Sequence, residues 1–179
     1  IWLDPWSQYE GKGYQPAQAM FAFANGGTAG TGLGLGNPSK IPAASTDYVF
    51  AAIGEEMGLI GATAVIIAFL LLLGAGLRVA VRADRPFEKL LATGLTTIIS
   101  MQAFIIIGGV LRLVPLTGIT LPFVSYGGSS LLANYILLAL LLRISDSGAR
   151  RRGETPDELT ISERMEARRL RRAERKAAR

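Results

Sequence analysis

Three carboxylates stand out because they lie at the start of, or inside, an apolar stretch of this sequence. Asp47 precedes the stretch, and Glu55 and Glu56 follow within it. A carboxylate held partly away from water can act as a general base or bind a cation. Helix capping also explains Ser45, Thr46 and Asp47, whose residue types are preferred at a helix N-terminus. Capping does not explain Glu55 and Glu56, and an acidic pocket open to the outer side would accommodate all three carboxylates.

Hydroxyl side chains are concentrated in a later segment, residues 113–130, where proline and glycine interrupt the apolar sequence. Irregular backbone at membrane depth occurs only where it is buried in protein or lines a cavity. Ser125, Ser129 and Ser130 are therefore candidate substrate contacts. Close helix packing through small residues is the alternative for residues 127–130.

Arg112 is the only charged residue between Lys89 and Arg143. It is either an anchor at the membrane interface or a phosphate contact, and the sequence by itself favours the anchor. The chain contains no cysteine and no histidine, which excludes a disulfide framework, a thiolate nucleophile and the commonest transition-metal ligands. No cofactor is certain, and a divalent cation such as Mg²⁺ or Mn²⁺ stays an open alternative.

Three apolar runs supply the elements that must position these groups. Half of the 179 residues are hydrophobic and 18% are charged. Each run is about as long as, or longer than, the roughly 20 residues that a helix needs to cross a bilayer. Three such runs exceed what the core of a large soluble protein usually supplies. We predict an all-α fold, a polytopic membrane helical bundle with three transmembrane helices. The runs cover about residues 48–77, 90–111 and 124–142.

The placement of basic residues predicts the orientation of the spans. Cytoplasmic connections carry an excess of Lys and Arg. The connection after the first run and the segment after the third run are both basic, so we place both in the cytoplasm. The segment before the first run has only Lys12 and Lys40, and we place it outside. The basic residues assigned to the cytoplasm include Arg78, Arg82, Arg85, Lys89, Arg143, Arg150, Arg151 and Arg152.

The predicted organisation has three parts. The outer loop is rich in glycine and aromatic residues and contains a short helix from about Pro16 to Ala24, with a plain flexible loop as the alternative. The tail is expected to be a helix or a disordered arm attracted to anionic lipid, rather than a nucleic-acid-binding segment. Because the chain opens at Ile1, we expect it to be a fragment. The parts are residues 1–46 (outer loop), 47–144 (membrane region) and 145–179 (basic cytoplasmic tail).

Two motifs resemble those of the SEDS family (shape, elongation, division and sporulation). One is similar to the large outer loop of these proteins and the other to their signature before the last span. The sequence of the second motif is closer to the RodA or SpoVE type than to FtsW of high-GC Gram-positive bacteria. The matching residues are Gly13–Gln15, Gly26, Gly27, Gly32–Gly34, Pro42, Thr46–Ala51 and Gly54–Gly58 in the first motif, and Pro115–Ser130 in the second.

The resemblance implies a peptidoglycan glycosyltransferase of the bacterial cytoplasmic membrane. Such an enzyme polymerises lipid II at the outer face during cell elongation or division, and works with a class B penicillin-binding protein. The family's essential outer-loop aspartate falls on Asp47, and Glu55 and Glu56 match its acidic pair. The residues themselves also leave open a flippase or transporter of lipid-linked precursors, and a non-catalytic scaffold of the division or elongation machinery. We expect three spans alone to be too few to enclose the substrate, and hence the fragment to be inactive.

Overall fold

The computed structural model describes residues 4–11, 13–37 and 45–151. A short 3-10 helix at Trp6–Gln8 is followed by four α-helices, and these described ranges contain no strand. The all-α fold is therefore confirmed. The helices are α1 (Tyr14–Gly26), α2 (Val49–Arg82), α3 (Pro86–Val110) and α4 (Gly128–Arg151).

Helices α2, α3 and α4 have 34, 25 and 24 residues and are long and apolar enough to cross a membrane. Their outward faces carry large apolar side chains, among them Ile60, Leu71 and Phe104, which are exposed in the chain by itself. Such an apolar surface is suited to contact with the acyl chains of a bilayer. The three predicted spans are thus confirmed, although α4 begins at Gly128 and not near Val124, because residues 122–124 form a turn and the N–H of Tyr126 donates to the carbonyl oxygen of Ser45.

The contacts at the two ends of the bundle show that the spans alternate in direction. At one end, Arg151 of α4 donates a hydrogen bond to Glu88 at the start of α3. At the other end, Val110 at the close of α3 packs in one cluster with Ala19 of α1 and Phe50 of α2. The basic connections lie at the first of these ends, which we call the inner end. The opposite end is the outer end, where α1 lies.

Helix α1 covers the short helix predicted at about 16–24 and extends two residues beyond it on either side. It packs closely on α2 because glycine faces glycine where the two helices meet. A Cβ atom built on Gly26 would lie 2.0 Å from the carbonyl oxygen of Gly54. A side chain at that position would push α1 off α2, so the contact depends on the missing Cβ.

Helix α2 is interrupted at Gly58, whose φ of 66° and ψ of −163° are outside the helical region. The residues that follow α1, 27–36, dock into this break, and we call them the glycine loop. A Cβ on Gly58 would lie 2.3 Å from the backbone nitrogen of Gly30. The break and the loop therefore require each other.

The backbone groups that α2 loses at the break are bonded by the glycine loop. Two N–H groups of α2 donate to carbonyls of the loop, and two N–H groups of the loop donate to carbonyls of α2. This exchange meets the requirement that buried backbone groups be paired. The donor–acceptor pairs are Leu59 to Gly27 (2.9 Å), Ile60 to Thr28 (3.3 Å), Thr31 to Glu55 (2.9 Å) and Gly32 to Glu56 (3.0 Å).

Candidate functional site

Asp47 lies at the outer end of the bundle, in the turn of residues 45–48 that leads into α2. Its side chain is half-buried and faces the irregular segment between α3 and α4, residues 113–127, which we call the signature segment. A Cβ built on Gly118 would lie 3.6 Å from the Asp47 Oδ2 atom. Because Gly118 has no side chain and a positive φ of 69°, the backbone of the signature segment approaches the carboxylate directly.

Ser125 joins the Asp47 turn to the signature segment. Its side chain is 2% exposed, and its hydroxyl donates a hydrogen bond of 2.6 Å to the carbonyl oxygen of Thr46. The same hydroxyl oxygen accepts a bond of 2.8 Å from the backbone N–H of Leu121. Next to it, the N–H of Tyr126 donates to the carbonyl oxygen of Ser45 at 2.8 Å. The two residues before Asp47 are thus held by the signature segment, and we call this set of bonds the Ser125 clamp.

A second polar network fixes the signature segment to the spans on either side of it. The Thr120 hydroxyl donates to the Ser130 Oγ atom at 2.6 Å, and the amide of Asn134 donates to the same oxygen at 3.3 Å. From α3, the Gln102 amide donates to the carbonyl oxygen of Thr120 at 2.9 Å. The segment is therefore tied to both α3 and α4, although it has no regular structure of its own.

The three candidate serines have different surroundings. Ser125 is buried with its hydroxyl both donating and accepting, and Ser130 lies in the network with Thr120 and Asn134. Ser129, in the first turn of α4, is exposed. Of the three, Ser129 is the side chain that the described residues leave open to a ligand.

Glu55 and Glu56 lie beside the glycine loop. Glu55 is 4% exposed, and a Cβ on Gly36 would lie 3.4 Å from its Oε2 atom and 2.9 Å from the Cγ atom of Glu56. The acidic pair therefore borders the glycine loop, whereas Asp47 borders the signature segment. Within the described ranges, no group of three or more carboxylates is placed to hold a metal ion.

Arg112 follows α3 and is half-buried, with a positive φ of 62°. Its guanidinium donates to the sulfur of Met20 in α1 at 3.2 Å. Arg112 thus packs against the outer helix at the end of the bundle where Asp47 lies. This contact agrees with an anchoring role, and the phosphate contact stays a prediction.

Tyr48 is the other titratable side chain of the Asp47 turn. It is 3% exposed, and its burial, together with the negative charge of Asp47, raises the pKa of the phenol to about 12. The phenol therefore stays protonated at any physiological pH. A proton accepted in this turn must go to the carboxylate of Asp47.

Two features of the site were not predicted from the sequence. The Ser125 clamp joins residues 79 positions apart, and no local pattern marks such a pair. The break at Gly58 had a weak signal, since Gly58 closes a motif with several glycines and follows two carboxylates. A glycine beside polar residues inside an apolar helix is a plausible position for a break.

Comparisons with known proteins agree with this arrangement. Residues 1–150 match the family described as cell cycle protein, which groups FtsW, RodA and SpoVE. The chain is 57% identical over 150 residues to the peptidoglycan glycosyltransferase RodA of Mycobacterium tuberculosis, covering 84% of this chain and 32% of the relative. It is 42% identical over 146 residues to the probable peptidoglycan glycosyltransferase FtsW of Geobacter metallireducens, covering 80% of this chain and 39% of the relative.

A solved structure shares the fold. It is described as "Structural coordination of polymerization and crosslinking by a peptidoglycan synthase complex", and one of its chains superposes with a TM-score of 0.69 at 29% identity. The match covers 83% of this chain and 40% of that chain. The present chain spans about a third of the length of the RodA relatives that it matches.

The higher identity to RodA than to FtsW confirms the predicted resemblance to the RodA type, and the spans confirm a multi-pass membrane protein. The chain belongs to the FtsW, RodA and SpoVE family of cell cycle proteins, the SEDS family.

Proposed function

We propose that this chain is part of a peptidoglycan glycosyltransferase that polymerises lipid II at the outer face of the cytoplasmic membrane, with Asp47 as the general base. RodA relatives that are 57% and 52% identical to this chain carry the name of that activity. The observation that carries the assignment to Asp47 is its place in a turn held by the Ser125 clamp. A catalytic carboxylate needs such a fixed position.

The reaction transfers a lipid-linked glycan onto a sugar hydroxyl. The oxygen of a sugar 4-hydroxyl attacks the anomeric carbon of a second lipid-linked molecule. A bond forms between that oxygen and the anomeric carbon, and the bond from this carbon to the polyprenyl diphosphate breaks. The bonding electrons leave with the diphosphate, and the hydroxyl proton passes to Asp47. General-base assistance of this kind is worth a factor of about 10² to 10⁴ in rate.

The leaving diphosphate requires positive charge as it departs. Arg112 lies at the same end of the bundle as Asp47 and is the basic residue that we assign to this contact. A divalent cation held by Asp47 is the alternative to its role as base, since Mg²⁺ commonly binds one or two carboxylates together with substrate phosphates and water. Asp47 would be its protein ligand, and the cation would supply charge stabilisation to the diphosphate.

Ser125 has a positioning role in this proposal. Its hydroxyl holds the carbonyl of Thr46 and does not extend toward the surface, so it acts through Asp47. Ser129 is exposed in the first turn of α4, where a helix N-terminus attracts phosphate or sugar hydroxyls. We assign Ser129 to substrate contact, and Ser130 to the support of the signature segment. Glu55 and Glu56 shape the neighbouring surface under the glycine loop.

The partner that we propose is a class B penicillin-binding protein, which would crosslink the glycan that this protein makes. The structural neighbour comes from a complex described as coordinating polymerization and crosslinking. The basic tail, residues 145–179, is proposed to contact anionic lipid at the inner face.

The test compares two variants that make the same chemical change on the outer side. Asp47→Asn in the intact protein with its partner should lower lipid II polymerisation by about 10² or more, while insertion and expression stay normal. Asp4→Asn is the control, because Asp4 is exposed and bonds only locally to the N–H of Trp6. Polymerisation by Asp47→Asn at close to the wild-type rate would rule out the base assignment.

The same assay separates the proposal from lipid transport. Vesicles containing the protein are given lipid II on one face, and both chain growth and transbilayer movement are scored. We expect chain growth that depends on Asp47. Movement of lipid II without bond formation would indicate a flippase instead.

A further inference from the structure

A cleft lies between the inner ends of α2 and α4, away from the Asp47 site. It has a volume of about 260 Å³, which is several times the roughly 30 Å³ that one water occupies and slightly below the range for drug-sized ligands. It can hold a small polar group but not a whole lipid. The lining residues are Ala75, Arg78, Val79, Arg82, Ala83, Ile144, Ser145, Gly148 and Ala149.

The side chains of this inner cleft favour an anion. Arg78 and Arg82 supply two guanidinium groups, and Ser145 supplies a hydroxyl. The small residues Gly148 and Ala149 leave space in front of them. Helix α2 ends here, and its C-terminus carries about half a negative charge, but two whole guanidinium charges outweigh that partial charge.

The carboxylates of the inner end are engaged by other arginines. Arg151 bonds Glu88 and lies 3.7 Å from Asp84, and Arg150 pairs with Asp146 at 3.0 Å. Residues 78–89 and 143–151 together contain seven basic and three acidic side chains. The described residues of this end therefore carry a net positive charge around the cleft.

The position of the cleft identifies the source of the anion. It lies near the ends of two membrane-spanning helices, next to exposed apolar side chains such as Leu77 and Val81. A headgroup in the cleft would leave its acyl chains beside these residues. Basic pockets between transmembrane helices on the cytoplasmic side are suited to anionic headgroups.

We infer that the inner cleft binds the phosphate of an anionic membrane lipid, in contact with Arg78, Arg82 and Ser145. The site is separate from the polymerisation site and does not depend on the proposed function. It also differs from attraction of the tail to the membrane surface, because it requires a cavity of defined shape.

The experiment is native mass spectrometry of the intact protein in a neutral detergent with added lipid. We expect phosphatidylglycerol to bind about five-fold more tightly than phosphatidylcholine, the factor that one basic residue contributes near an anionic surface. Inorganic phosphate and glycerol 3-phosphate, added at equal concentration, should not displace it. Equal binding of the two lipids, or displacement by inorganic phosphate, would overturn the assignment to a lipid.

Matched variants distinguish lipid binding in the cleft from general electrostatic attraction to the basic inner end. Arg78→Gln should reduce phosphatidylglycerol binding about five-fold. Arg143→Gln removes the same charge one residue before the lining residue Ile144 but outside the cleft, so it should reduce binding much less. Equal losses for the two variants would show diffuse attraction and no site.

A third variant changes the volume of the cleft and leaves its charge unchanged. Ala149→Phe should fill the space in front of the guanidinium groups and lower phosphatidylglycerol binding to the level of Arg78→Gln. Helix content and elution volume are measured first, to show that the variant is folded. Undiminished lipid binding by folded Ala149→Phe would overturn the proposal.

Discussion

At the outer end of the molecule, α1, the glycine loop and the signature segment join α2 through backbone groups and one buried hydroxyl. At the inner end, α3 and α4 are joined by charged side chains in contact with water. The outer contacts include four backbone bonds at the break in α2 and the Ser125 clamp. The polar inner contacts include Arg151 of α4 with Glu88 of α3, and Arg150 with Asp146 within α4.

This difference matters because the two kinds of contact fix positions to different degrees. The Ser125 hydroxyl is buried, and leaving such a polar group unpaired costs about 1–3 kcal/mol. Exposed ion pairs contribute little and are screened by salt. The outer end is therefore suited to hold a reacting group in place, and the inner end to adjust to lipid headgroups.

The largest effect on stability is expected at the break in α2. Gly58→Ala places a Cβ against the backbone of Gly30 and forces a positive φ on a residue with a side chain. We expect a loss of about 2–3 kcal/mol in the free energy of unfolding, and release of the glycine loop from α2. Thermal unfolding in detergent measures the loss.

Gly74→Ala is the control in the same helix. A Cβ on Gly74 has no atom within 4 Å, and alanine favours helix over glycine by about 0.5–1 kcal/mol. Gly74→Ala should therefore leave stability unchanged or raise it. If Gly58→Ala were as stable as Gly74→Ala, the proposed dependence of the break in α2 on the docked glycine loop would be wrong.

Tyr48 offers a smaller effect that appears only at high pH. The raised pKa of about 12 means that folding keeps the proton on the phenol, whereas the unfolded chain releases it near 10. This contribution to stability is complete below pH 10 and is lost as the pH rises from about 10 to about 12. Tyr48→Phe should lose less stability over that range than the wild type.

Absorbance titration of tyrosinate checks the same point without unfolding. One phenol should titrate near pH 12 in the wild type and be absent from Tyr48→Phe, while Tyr9→Phe, at an exposed position, should keep it. If a phenol still titrated near pH 12 in Tyr48→Phe, the Asp47 turn would be more accessible to water than the structure indicates.

The smallest effect is expected at the inner end. Glu88→Gln removes a half-buried carboxylate bonded to the partly exposed Arg151, so stability should change little, and any change should vanish at high salt. Unfolding is measured at low and high ionic strength, with Asp146→Asn as a second exposed pair. A large loss of stability that is the same at low and high salt would show that the inner contacts fix positions as firmly as the outer ones.

The spans and their orientation could be predicted because their signals are strong and local. Long apolar runs and clustered arginines need no knowledge of tertiary contacts. Helix α1 was predicted to within two residues at each end, since the pair Gly26 and Gly27 is a good stop signal. Asp47 could be placed on the outer side because it precedes the first span.

The rest could not be predicted because it depends on contacts distant in sequence. Gly74, Gly76 and Gly94 all stay helical, so the break at Gly58 follows from the docked loop and not from glycine itself. The hydroxyl of Ser125 can bond many partners, and its choice of the Thr46 carbonyl is set by how the chain folds back. These long-range contacts place Asp47 beside the signature segment and the acidic pair beside the glycine loop, and the single acidic pocket suggested by the sequence stays a prediction.

We propose that the Ser125 clamp holds the carboxylate of Asp47, the proposed general base, in place. Initial rates of lipid II polymerisation are measured for Asp47→Asn, Ser125→Ala and the double variant, each checked to be folded. Ser125→Ala should slow the reaction about ten- to a hundred-fold through misplacement of the base. Because Ser125 acts through Asp47, the double variant should be no slower than Asp47→Asn alone. If the double variant were slowed by the product of the two single-variant factors, or if Ser125→Ala reacted at the wild-type rate, Ser125 would not act through Asp47.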